Sequence, residues 1–327
     1  MRDIWLVITL ISIFVLIALM FYYLSPLFDG IVMGIVFSYV AKPIKRRIEF
    51  IGNTKSSLVS TLIVLLPISF LIIYGIFQGF TQAVYIITHY KQFENEIVEI
   101  LNKLGLEEIS EYVRSFFPSV VSLIQSIFRL SAIDITKRTV MFALNFLISA
   151  IICFYTLTDS EKFINGITNV IPEDRRKEFR KFISELEETF LGLWFGNFVV
   201  AILIGLASIP YFLLFDVPFV SLLSGLMFLA ALIPMFAEWM IILPVSVYIA
   251  LQDPYKGLYS LVIGVVFLYI LPELILRPYF VGYTSRIHPL VLMLSFIGGG
   301  VIGGITGFFL APMLAGVLTA LYNYYTK

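Results

Sequence analysis

The sequence predicts an all-α, polytopic membrane protein of about eight transmembrane helices or hairpins, two of them broken or re-entrant, with an external helical cap. Three observations predict it. The 327 residues are 60% apolar and 13% charged, with a mean hydropathy of +0.97. Soluble domains average about 45–50% apolar and about 25% charged, so the 22 basic and 22 acidic residues are too few to coat a water-facing surface. Apolar runs of bilayer-spanning length recur along the whole chain, and two of the longest are interrupted by Gly, Pro or Glu. Such breaks are tolerated at membrane depth only where protein or a water-lined cavity satisfies the freed backbone groups.

A hydrocarbon core about 30 Å thick takes roughly 20 apolar residues per helix, and residues 4–24 form a first span interrupted only by Thr9 and Ser12. A secretory signal peptide is the alternative, but the run is long for one, lacks an A-x-A site and is followed by further spans. Those spans fall at 27–41, 57–89, 139–158, 190–214, 217–250, 257–276 and 288–324. The 57–89 run continues past the bilayer as a helix, because Gln78, Gln82, Tyr85, His89 and Tyr90 occupy its last third. The 217–250 run is interrupted by Pro234, Glu238 and Pro244. The 288–324 run is interrupted by Gly298, Gly299, Gly300, Gly303, Gly304, Gly307 and Pro312. Both read as hairpins or re-entrant pairs.

Two segments lie outside the apolar runs. Residues 91–137 read as amphipathic helices, with Ile97, Ile100, Leu101 and Leu104 on one face and Ile109, Val113, Phe116 and Phe117 on the next, broken at Pro118. Residues 172–189 open with Pro172, Glu173 and Asp174 at a helix N-terminus and present a stripe of Phe179, Phe182, Ile183, Leu186 and Phe190. That stripe suits a helix on the inner membrane surface, or one packed on its own bundle. The organisation is therefore N-terminal transmembrane helices at 1–90, an external cap at 91–137, a transmembrane helix at 138–158, a cytoplasmic amphipathic helix at 159–189 and a C-terminal transport region at 190–327.

Charge sets the orientation. With the N-terminus inside, 15 of the 22 Lys and Arg fall in cytoplasmic segments, Lys42, Lys45, Arg46, Arg47 and the Arg175–Lys181 run among them. The short outer connections near Asp29 and Asp216 hold none, as the positive-inside rule requires. Both termini then face the cytoplasm of a multi-pass cell-membrane protein. A formal charge of zero gives no basic excess for nucleic acid. The lone Cys153 excludes an intrachain disulfide or a thiolate cluster, and His89 and His288 lack partners at metal-ligand spacing.

No P-loop, G-x-S-x-G or nucleophile–base set occurs, so the reading is not an enzyme and calls for no cofactor. A literal G-x-G-x-x-G at Gly298, Gly300 and Gly303 lacks the downstream acid of a dinucleotide site. The same glycines give small-x-x-x-small spacing, which suits close helix packing or a mobile hairpin. Four polar residues stand out in apolar surroundings. Glu238 is a proton or cation site, or else the tip of an interfacial hairpin. Glu273 and Arg277 are four apart, in the favourable order for a helical pair, and act as a latch beside a path or as an interfacial pair. Asn197 bonds a neighbouring helix or lines the path.

In order and spacing, IPEDRRKEF at 171–179, Ile233-Pro234, ILRP at 275–278 followed by Gly282, His288-Pro289-Leu290 and GGGVIGGITGFFLAP ending at Pro312 resemble the autoinducer-2 exporter family. The resemblance implies a polytopic secondary transporter or exporter, with some relatives assigned to sodium or lithium exchange for protons. Where the family commonly continues after Ile-Pro with an aromatic, an aliphatic residue, Gly and Pro, this chain has Met235, Phe236, Ala237 and Glu238; where relatives often have an acid and Asn, it has Glu273 and Leu274. The expected function is ion-coupled export of a small polar solute, with Glu238 as coupling group, Glu273 and Arg277 as gate, and the glycines as a sliding surface. The alternatives are an Na⁺ or Li⁺/H⁺ exchanger or channel, and a non-transporting scaffold. The expected partners are membrane lipid, the solute with H⁺ or Na⁺, and further copies of the chain.

Overall fold

A computed structural model describes residues 2–103, 105, 107–128, 132–233, 238–277 and 287–326. They form α1 (Arg2–Leu24), a 3₁₀ turn (Ser25–Leu27), α2 (Phe28–Arg47), a second 3₁₀ turn (Glu49–Ile51), α3 (Asn53–Lys103), α4 (Glu107–Phe128) and α5 (Ala132–Val170). Then come α6 (Glu173–Leu214), α7 (Val220–Ala231), α8 (Trp239–Gln252), α9 (Pro254–Gly264, continued by π-helical turns at Val265–Ile270 and Pro272–Leu276) and α10 (Pro289–Thr326). Helices satisfy their own backbone groups, which is what a lipid solvent demands. Among the described residues, six stretches are long and apolar enough to cross a bilayer: Ile11–Arg47, Asn53–Phe70, Lys137–Val170, Glu173–Leu214, Pro254–Leu276 and Leu290–Tyr322. The protein is a multi-pass, all-α membrane protein.

The core forms around α2, which runs parallel to α5. Gly30 and Gly34 permit that approach: a Cβ on Gly34 would lie 2.6 Å from Ile152 Cβ, and the Gly30 N–H donates to Asn145 Oδ1 at 2.7 Å. Helix α3 returns antiparallel, with Asn53 Nδ2 donating to the Thr158 carbonyl at 3.2 Å and Thr61 beside Cys153. Helix α6 packs on the same side of α2 through Tyr39–Phe190 and Phe37–Phe198, ring centroids 5.3 and 5.7 Å apart. Trp194, Phe198 and Phe296 fill the centre, each at most 2% exposed. One end of this bundle collects basic residues: Lys42 and Arg46 both reach Glu187 at 2.8 Å, and Lys45 Nζ donates to the Leu157 carbonyl at 2.6 Å. Asp29 marks the opposite end.

Two hairpins enter this frame from opposite ends. After the left-handed residues Asp216 (φ 53°) and Phe219 (φ 64°), α7 turns back along α6, with Gly205 against Phe228. Helices α7 and α8 have 12 and 14 residues, about 18 and 21 Å at 1.5 Å per residue, short of a bilayer core. Helix α7 runs from Ser221, bonded to Tyr74, to Ala231 at the level of Asn197, and α8 runs back to Ser246, which shares Ser260 with Tyr211; the joining residues 234–237 lie outside the described ones. Within α10, Gly304 takes φ 55° and ψ −135° and the chain doubles back. Gly299 then packs on the Gly307 backbone, and Phe296 stacks near Phe308 at 4.9 Å. Its second limb runs from Asp29 to the basic end, where Gly316 meets Phe190 and Tyr324 meets Phe182.

The structure departs from the sequence reading in several places. Residues 159–189 do not form a separate surface helix: α5 continues to Val170, and α6 runs from Glu173 straight into its span. Between Glu188 and Trp194 only Gly192 opposes helix, at about 1 kcal/mol, so the amphipathic segment is the projecting start of the same rod. Helix α4 passes through Pro118, α8 through Pro244 and the second limb of α10 through Pro312 without breaking. Pro118 and Pro244 are exposed and Pro312 is buried, so burial is not common to the three. Helix α1 forms no packed face with α2, and the junction at Leu24 and Leu27 keeps right-handed helical angles, so no antiparallel pair forms at Asp29. Pro234, Pro278, Gly282 and Arg286 lie outside the described residues.

The glycines separate by role. Gly299 and Gly307 touch backbone to backbone, whereas a Cβ on Gly298 or Gly303 meets nothing within 4 Å among the described residues. Gly299→Val is expected to prise the limbs apart and lower the melting temperature in detergent by several degrees. Gly303→Ala is expected to leave it unchanged or slightly raised, because Ala favours helix by about 1 kcal/mol. Equal melting curves for the two variants would refute the back-to-back packing.

Candidate functional site

The tips of the two hairpins face one cavity of about 730 Å³. Its walls come from α2 (Met33, Phe37), α5 (Phe142, Phe146) and α6 (Phe198), its sides from Ala230, Leu232, Ile233 and Ile241 of the first hairpin and Gly300, Gly304 and Phe308 of the second. The volume is in the range of small-molecule sites. A second cavity of about 390 Å³ at the basic end is lined by Lys42, Lys45 and Arg46 together with Glu49, Glu161 and Glu187, so its charges balance.

Behind the first hairpin lies a buried polar cluster. Arg277, at the end of α9, donates through Nη1 to Asn197 Oδ1 on α6 and through Nη2 to the Ala231 carbonyl at 3.3 Å. That carbonyl belongs to the last turn of α7, where a helix leaves acceptors unsatisfied. Asn197 completes its own bonding by donating to the Leu193 carbonyl at 2.7 Å. Glu273 Oε1 lies 2.9 Å from Arg277 Nη2 without hydrogen-bond geometry, so the contact is Coulombic. Both side chains are only 12–14% exposed. Pro272 has no N–H to donate, and the helix widens into π turns around it, a local irregularity common at functional sites.

Glu238 completes the cluster and differs from every other member. It is 0% exposed, neither carboxylate oxygen has a hydrogen-bond partner among the described residues, and it lies within electrostatic range of Glu273 and Arg277. It occupies the capping position of α8 yet its side chain does not cap, unlike Asp253, which accepts from the Tyr255 and Lys256 N–H groups at the start of α9. A carboxylate in hydrocarbon costs roughly 3 kcal/mol even on the lenient insertion scale. No structural bond in the described residues offsets that cost.

Four of the residues singled out in the sequence therefore meet: Asn197, Glu238, Glu273 and Arg277. Asn197 bonds a neighbouring helix. Gly300 and Gly304 line the cavity, Gly299 and Gly307 hold the hairpin together, and Gly298, Gly303 and Pro312 do neither. Sequence reasoning missed Asp29. Its carboxylate accepts from both the N–H and the hydroxyl of Thr306, the first free donors after the break at Gly304, and so pins the second hairpin tip to α2. The signal was available: Asp29, like Glu238, is a lone acid in an apolar stretch, but it reads as part of an outer loop.

Comparison with known proteins places the chain in a family of transporters. A family model described as "AI-2E family transporter" matches residues 11–327. A protein of Archaeoglobus fulgidus named "Putative transport protein" is 62% identical over 327 residues, covering 100% of this chain and 96% of the relative. A relative in Methanocaldococcus jannaschii, named in the same way, is 26% identical over 316 residues, 94% of this chain and 92% of its own length. One in Bacillus subtilis is 27% identical over 171 residues, 52% of this chain and 46% of its own.

The cluster and the cap should fail differently when cut. Arg277→Leu removes the donor to Asn197 and to the Ala231 carbonyl and is expected to cost on the order of 3 kcal/mol, as for a broken buried pair. Asp29→Ala removes a cap and is expected to cost about 1 kcal/mol. Denaturant titration in detergent checks the order; a larger loss for Asp29→Ala would contradict it.

Proposed function

Because the chain belongs to the AI-2E family of transporters, we propose that it is an ion-coupled secondary transporter whose solute path is the cavity between the two hairpin tips and whose coupling group is Glu238. The observation that carries this reading is a fully buried carboxylate with no hydrogen-bond partner among the described residues, seated beside an ion cluster that holds a hairpin tip. A proton or monovalent cation on Glu238 changes the charge facing Glu273 and Arg277. That change bears on Arg277, which grips the α7 carbonyl end, and so on the position of the hairpin tip. Hairpins that approach one site from opposite ends are the arrangement by which broken helices expose a site to each side in turn.

The concentration of Lys and Arg at the end opposite Asp29 supports a cytoplasmic basic end, and with it a cytoplasmic end for the second limb of α10. Self-association is part of the proposal, since α1 presents exposed Phe14 and Leu16, while Phe21 near its end pairs with Phe28 of α2. A second reading, exchange of Na⁺ or Li⁺ for H⁺, is favoured by the two carboxylates of Glu238 and Glu273 in one buried cluster.

Protein reconstituted in liposomes with an internal pH-sensitive dye tests both. Under an imposed proton gradient, wild type is expected to give a pH change on addition of Na⁺, Li⁺ or an organic solute, and Glu238→Gln to abolish it at unchanged helicity and melting temperature. Undiminished proton-coupled flux in Glu238→Gln would remove the residue from the mechanism.

A further inference from the structure

The chemistry of the cavity bears on what it can hold. All 19 described residues that line it have apolar side chains or are glycine, and seven are Phe, from Phe37 on α2 to Phe309 in the second hairpin. The polar cluster does not line it: Asn197, Glu238, Glu273 and Arg277 sit behind the backbone of Ala230–Ile233. A small polar metabolite would leave its water behind and find no donor or acceptor in return. An ionised solute would fare worse.

Access follows the same chemistry. Among the lining residues, Leu226, Leu229, Met240 and Ile305 are exposed, at 43, 56, 77 and 36%, together with Gly304. A mouth framed by exposed aliphatic side chains in a membrane-embedded bundle opens toward hydrocarbon. Walls from α2, α5 and α6 and a hairpin on each side give the site five converging elements, where the outer surface of a single helix offers one. Phenylalanine rings present edges and faces that pair best with another ring in offset or edge-to-face geometry.

We propose that the cavity binds a neutral, ring-bearing apolar solute that enters sideways from the bilayer, and that this, in place of the small polar solute expected from the sequence, is the substrate class. The inference deepens the transport reading: the solute touches only the apolar walls, and the coupling ion acts through the hairpin backbone without meeting it.

The chain supplies its own reporter. Trp194 has ring centroids 5.5 Å from Phe309 and 6.3 Å from Phe198, both of which line the cavity. In a Trp5→Phe, Trp239→Phe background, the full chain in lipid nanodiscs is titrated with bromobenzene, whose heavy atom quenches a nearby indole. Saturable quenching, reversed by unbrominated benzene, is expected. A Cβ on Gly300 would lie 3.6 Å from Phe308, an ordinary contact, so Gly300→Leu adds volume to the cavity without a backbone clash. Gly300→Leu and, from the other hairpin, Ala230→Leu are each expected to weaken bromobenzene binding at least tenfold. Their Trp194 emission and melting curves, compared with the parent, identify the variant that has kept its fold.

Strictly linear quenching, or saturable quenching that survives in both filled variants, would overturn the proposal. So would quenching by phosphatidylcholine brominated along its chains that benzene does not relieve, which would give the site to a lipid tail. The titration needs no flux. Loss of coupling in Glu238→Gln therefore bears on the transport reading alone, and absence of bromobenzene binding bears on the substrate class alone.

Discussion

In a solvent that offers no hydrogen bonds, every interruption of a helix must be closed by a side chain, and the two places where this chain breaks its helices determine where its polar residues stand. At the first break the α7 carbonyl end is met by Arg277; at the second the free donors of Thr306 are met by Asp29. The rest of each arrangement follows. Arg277 needs Asn197 and Glu273 so that its charge is not left alone in the interior, and Asp29 needs a fixed place at the start of α2. Glu238 is the exception, a buried acid that serves no break.

The second constraint is proximity. Hydrophobicity does little to bring helices together when lipid is as apolar as Leu, so contact relies on van der Waals fit and small residues. Gly30 and Gly34 admit α5 to α2, Gly257 admits Ala250, and Gly299 with Gly307 closes the last hairpin. Aromatic rings fill what remains, with Trp194 meeting Phe198, Phe296 and Phe309 at the centre. The same use of Gly and Phe that holds the bundle together leaves the cavity between the tips without a polar atom on its side chains.

Much of this was legible in the sequence, because the lipid solvent leaves few options. Apolar runs marked the spans, Glu238, Glu273, Arg277 and Asn197 stood out as polar groups in hydrocarbon, and the Gly-rich stretch marked a hairpin. What was not legible depended on distance in space. No periodicity says that Asn197 and Arg277, 80 residues apart, share a bond, or that one glycine of the set takes the reversing angles while Gly298 and Gly303 are ordinary helix. Prolines were over-read: Pro118, Pro244 and Pro312 sit inside continuous helices, since one lost donor does not by itself end a helix. The amphipathic start of α6 was split from its span because a change in polarity was taken for a change in direction.

The parallel course of α2 and α5 has a consequence for how the protein is made. The Gly30 bond to Asn145 spans 115 residues, and the Thr306 bond to Asp29 spans 277. Helix α2 is thus among the first to leave the ribosome, yet its glycine face waits for α5 and its acid waits until nearly the whole chain has been synthesised. During that interval Asp29 is an unsatisfied carboxyl at the edge of the bilayer, a group that either holds the nascent helix near the lipid headgroups or recruits a temporary partner. Only a chain synthesised past Thr306 can therefore pair the carboxylate set at the start of one of its first helices.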